Sequence, residues 1–89
     1  MSPGGEKRQP VFTKTAAKGI AKLPPHVKTA CENIVRELAA GTMQGKKLKG
    51  ELAAFRSVRL GQGYRLIYRE GEDVIEILDI GPRGDIYKR

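Results

Sequence analysis

The chain holds no tryptophan, one cysteine and one histidine in 89 residues, and only 6% of it is aromatic. Each shortage removes a class of function. A lone cysteine cannot close a disulfide within the chain, so a disulfide-stapled secreted scaffold is excluded and a reducing, cytoplasmic setting is expected. His26 and Cys31 stand alone among the usual zinc ligands, so no multi-ligand site of ordinary spacing can be assembled. Neither a metal nor any other cofactor is expected. His26 reads as a surface residue at a helix start, and Cys31 as core. There is no Walker A pattern and no Ser/His/Asp set with supporting context. No apolar run reaches the length of a membrane span. The first ten residues, MSPGGEKRQP, lack the apolar centre of a signal peptide.

Acidic residues are also scarce. Ten Asp and Glu face seventeen Lys and Arg, a net charge of +7. That balance favours a polyanionic partner, RNA or DNA before a membrane, or else a solvated basic surface. The charge is spread along the chain, so no single run marks a site. The length predicts one small domain with little room for a deep cleft. A catalytic site here is expected to be an open groove, with a large substrate.

The pattern that is present predicts an α+β domain over residues 10–89, behind a Gly-, Pro- and charge-rich tail at 1–9 that is expected to be disordered. Pro10–Thr13 reads as a short strand at a sheet edge. Lys14–Leu23 has helical spacing through Ala16, Ile20 and Leu23, weakened by Gly19 and stopped by Pro24-Pro25. Pro25–Ala40 is the strongest helix. Val27, Ala30, Cys31, Ile34, Val35 and Leu38 form one apolar stripe, Pro25 suits a first turn, and Gly41 suits the end. Thr42–Gly50 reads as a connector whose Lys46, Lys47 and Lys49 are either a solvated loop or a phosphate-contacting rim. Three antiparallel strands follow: Val58–Leu60, Tyr64–Tyr68 and Val74–Ile80. Gly61-Gln62-Gly63 and Glu70-Gly71-Glu72-Asp73 are their turns, and Gly81-Pro82 is expected to break the last strand. The two helices are expected to pack as a hairpin on one face of this small, mainly antiparallel sheet.

Arginine, lysine and tyrosine remain as the chemistry. That set suffices to cleave RNA, whose 2′-hydroxyl is a built-in nucleophile. The protein need only orient it, move protons and stabilise charge on phosphorus. Arginine grips phosphate in a planar fork, and tyrosine transfers a proton or stacks on a base. A plain RNA binder would use the same residues, and composition does not separate the two.

The succession GKKLKG, FRSVRLGQGYRLIY and IGPRGDIY, after a short strand and a helix hairpin, resembles the RelE/ParE superfamily of bacterial toxins from type II toxin–antitoxin systems, the RelE branch more than the ParE branch. The resemblance covers about residues 11–89. It implies a RelE-like microbial ribonuclease fold and metal-independent endonuclease cleavage of mRNA in the ribosomal A site, leaving a cyclic phosphate and stopping translation. It also implies a cognate antitoxin as partner. Under it, Arg65 of GYR matches the strand arginine that binds the scissile phosphate. Arg83 of GPRGDIY matches the arginine that stabilises the transition state or leaving group, and Tyr87 the tyrosine that stacks on and helps activate the cleaved nucleotide. Arg56 and Arg59 fall where such toxins carry basic residues on the preceding strand, and join Lys46, Lys47 and Lys49 as RNA-binding residues. The family pattern has lysines on that strand, and arginine is a poor general base because it stays protonated. Two alternatives stand beside this reading: a ParE-like inhibitor of DNA gyrase without catalysis, and an inactive relative that only binds RNA or an antitoxin.

Overall fold

In this computed structural model, which describes residues 8–61 and 63–82, the chain runs β1 (Gln9–Phe12), α1 (Lys14–Ala21), α2 (Pro25–Ala40), β2 (Lys46–Lys47), a 3₁₀ turn (Gly50–Leu52), β3 (Arg56–Leu60), β4 (Tyr64–Glu70) and β5 (Val74–Pro82). The strands make one sheet in the order β1-β5-β4-β3-β2. β1 lies parallel to β5, and every other pairing is antiparallel. Both helices pack against this sheet, giving the expected α+β architecture.

The helices begin and end for local reasons. Thr13 caps α1: its Oγ1 accepts from the Ala16 N–H at 3.1 Å and donates to the Leu78 carbonyl at 2.9 Å, which ties the helix start to the edge of β5. Pro25 sits in the first turn of α2, where its missing N–H costs nothing. Gly41 closes α2, and the Thr42 N–H bonds back to the Glu37 carbonyl. Val27, Cys31, Val35 and Leu38 are buried as the stripe predicts. Ile34 and Ala30 are only half-buried, whereas Ala39 is buried. The N-terminal segment crosses the end of α2 there, the Arg8 N–H donating to the Ala39 carbonyl at 2.7 Å. Arg8 and Gln9, expected in the tail, are therefore part of the fold.

Three details of the sheet depart from expectation. Lys46–Lys47 is a strand rather than loop, paired with Ser57 and Arg56 at the β3 edge. Gly81 and Pro82 extend β5 instead of ending it, opposite Arg65 and Tyr64. Proline is tolerated because β1 pairs only with Val74–Ile77, so β5 is an edge strand by Pro82. A bulge also interrupts the β4–β5 register: Ile67 faces Asp79 but Tyr68 faces Ile77, leaving Leu78 as the extra residue. It reverses the alternation, so Ile75, Ile77 and Ile80 all reach the core despite their mixed parity. The same reversal turns Asp79 and Gly81 onto the face away from the helices.

Candidate nucleic-acid interface

The β3–β4 hairpin decides which arginines stand together. Gly61 and Gly63 both have positive φ, 57° and 85°, a conformation that glycine adopts without strain, and they close the loop. The resulting register has no bulge and pairs Leu60 with Tyr64, Arg59 with Arg65, and Val58 with Leu66. Leu60 and Leu66 are fully buried under the helices. Arg59 and Arg65 therefore lie side by side on the opposite, helix-free face. Arg59 is exposed, and Arg65 is half-buried with its Nε shut off from solvent. On its other side Arg65 faces Gly81, and no described residue lies within 4 Å of where a Cβ on that glycine would stand. Gly81, which the sequence pattern marked only as punctuation, is thus the cross-strand neighbour of Arg65.

Arg56 stands elsewhere. It shares the helix-side face with Val58 and Leu60, at the other end of β3. Its Nη1 donates to the Gly45 carbonyl at 3.0 Å and its Nε lies 3.5 Å from the Glu70 carboxylate. Glu70 also receives Gln44 Nε2 at 3.2 Å and lies 3.7 Å from the Arg8 guanidinium. Tyr68 Oη accepts the Gly45 N–H at 2.6 Å. Burial pushes the Tyr68 hydroxyl above its ordinary pKa, while the Gly45 bond pulls the other way. Glu70, expected only as a turn residue, gathers three separate segments and holds the approach to β2. Nothing in its local sequence signals this, because its partners come from residues 8, 44 and 56.

The lysines divide by register. Lys46 pairs with Ser57 and so shares the face of Arg59 and Arg65, while Lys47 pairs with Arg56 and takes the other face. Lys49 precedes the 3₁₀ turn, and all three lysines are exposed. Arg83 and Tyr87 lie outside the described residues. Among the described residues no group of three or more His, Cys, Asp or Glu side chains is placed to hold a metal ion, and no helix is long and apolar enough to cross a membrane. Cys31 is buried, its thiol pushed up in pKa by that burial and then by Glu32, and His26 is exposed.

Two helices packed on a mixed five-stranded sheet make an α+β fold that matches RelE-like toxin structures. The family model for the ParE toxin of the type II toxin–antitoxin system parDE matches residues 11–87. The chain belongs to this family of toxins, within the RelE/ParE superfamily. It is 40% identical over 86 residues to toxin RelG of Mycobacterium tuberculosis, across 88% of this chain and 93% of that protein. Among solved structures it resembles the toxin–antitoxin complex RelBE2 of the same organism, with TM-score 0.74 and 33% identity over 86% of this chain and 99% of that one. Escherichia coli YafQ shares the fold with TM-score 0.76 at 12% identity, over 91% of this chain and 99% of that one.

Proposed function

We propose that this toxin is a metal-independent endoribonuclease that cleaves mRNA on the ribosome. The observation that carries the reading is the Arg59–Arg65 pair. Two guanidiniums side by side on the helix-free face are a grip for a phosphate. In the reaction the 2′-oxygen attacks the adjacent phosphorus and loses its proton. The O2′–P bond forms, the P–O5′ bond breaks, and O5′ leaves with a proton, giving a 2′,3′-cyclic phosphate. Arg65 holds the scissile phosphate and Arg59 the same or the next one. Arg83, two residues beyond Gly81, neutralises the charge that develops on the phosphorane and leaving oxygen. Tyr87 orders the base and assists proton transfer. Lys46 continues the cationic face toward β2, and Lys47 and Lys49 contact the flanking backbone. Arg56 is assigned to the fold instead, because both its contacts hold the β2 approach. The cytoplasm is the setting, and a cognate antitoxin is the partner, in keeping with RelBE2 being a toxin–antitoxin complex; it silences the toxin by covering the basic face.

The second reading, gyrase inhibition, is favoured by the name of the matching family model. Induction of the protein with labelling of new synthesis separates the two. Translation stops before replication if the chain is a ribonuclease, and replication stops first if it acts on gyrase.

A further inference from the structure

A second basic concavity lies outside the arginine face. An open groove of about 380 Å³ runs between α1 and the far end of β5, walled by Thr15, Lys18, Lys22, Tyr64, Asp79 and Pro82. It exists because β1 leaves β5 at Ile77 and α1 takes over that edge. Thr13 bonds to the Leu78 carbonyl, and Gly19 lets the helix settle against the Ile80 carbonyl. A helix along an edge, rather than across a face, lets both sides of the sheet contribute: Asp79 from the helix-free side and Tyr64 from the helix side. Lys18 and Lys22 are four residues apart, so they neighbour one another, and both are exposed. Tyr64 is half-buried with its ring packed on the core, so its position is fixed. Asp79 is the lone carboxylate among the described lining residues. Gly81 lines the groove too, and it is also the cross-strand neighbour of Arg65. The arginine face and the groove are therefore continuous across one glycine.

We propose that this groove is a subsite for a flanking nucleotide of the bound RNA, with its phosphate held by Lys18 and Lys22 and its base laid against Tyr64. The proposal rests on the RNA-directed reading above and adds to it a second anchoring point. A fixed aromatic ring beside paired cations is the arrangement that holds single-stranded RNA without demanding a sequence, because every base has a stacking face. Continuity with Arg65 across Gly81 favours the same RNA strand over a separate protein segment.

The test is binding of uncleavable 2′-O-methyl RNA to the full chain at low salt, comparing a short oligonucleotide with versions extended at either end. One extension should tighten binding about tenfold, within the range of a single stacked base. The double variant Lys18→Gln, Lys22→Gln should lose most of that increment and lower the log–log salt slope by roughly one, since each phosphate contact on a single strand contributes about 0.7. Tyr64→Leu should lose the increment with the slope unchanged, both variants being checked for fold by circular dichroism. A double variant that keeps the full increment, or a wild type with none at either end, overturns the subsite. So do variants that bind RNA normally but bind the cognate antitoxin weakly, which makes the groove a protein-docking surface. A wild type that shows the increment yet cuts no mRNA supports the subsite and overturns only the nuclease reading. Cleavage without the increment does the reverse.

Discussion

A methyl group added at Gly19 would collide with the main-chain carbonyl of Ile80. Helix propensity alone favours alanine over glycine by about 0.8–1 kcal/mol. A backbone contact cannot swing aside as a side chain can, and overpacking of this kind costs about 1–3 kcal/mol. Gly19→Ala is therefore expected to lower stability by about 1 kcal/mol in urea unfolding; a more stable variant would contradict the close approach of α1 to β5. The sequence pattern read this glycine as a flaw in a helix, since its partner lies sixty-one residues away and only the tertiary contact gives it a use. Burial acts on titration as well. Cys31 and Tyr68 both have folded pKa values above their ordinary 9.0 and 10.0. The unfolded chain then releases these protons first as pH rises, so the stability they contribute is whole below about pH 9 and lost above it. The urea midpoint should fall on the alkaline side of pH 9, and Cys31→Ala should remove the first part of that fall.

At the scale of elements, α2 was legible because a period of 3.6 leaves its mark in sixteen consecutive residues. The exact depth of each position was not. Leu38 is 2% exposed, while Ile34 sits at the margin of the core. Leu38→Ala is expected to cost about 2–5 kcal/mol, and Ile34→Ala about 1–2 kcal/mol because its neighbours can close over the gap. Equal losses in thermal or urea unfolding would place the stripe wrongly. β2 was not legible, because two lysines carry no strand signal of their own and become a strand only by pairing with β3. The β5 bulge was hidden for a related reason: alternation in Val74–Ile80 fits a plain strand until Ile80 must reach the core. Which way Arg59 points follows from the hairpin register, and that register depends on the loop. Glycines at 61 and 63 announced a hairpin but not which residues face each other.

For the whole molecule, the fold sorts a diffuse charge of +7 into places with different work. Arg59, Arg65 and Lys46 gather on the helix-free face, Lys18 and Lys22 on the edge groove, and Arg56 inside the Glu70 cluster. The central claim is that the helix-free face cleaves RNA and that Arg56 only supports it. Single-turnover cleavage of mRNA on programmed ribosomes tests this most directly, using Arg65→Gln, Arg83→Ala, Tyr87→Phe and Arg56→Gln, each shown to be folded. The account predicts that the first three lose about 10²–10³ in rate, the typical loss for a missing transition-state contact, while Arg56→Gln cleaves within a few-fold of wild type. Wild-type rates from folded Arg65→Gln and Arg83→Ala, or a collapse confined to Arg56→Gln, would contradict it.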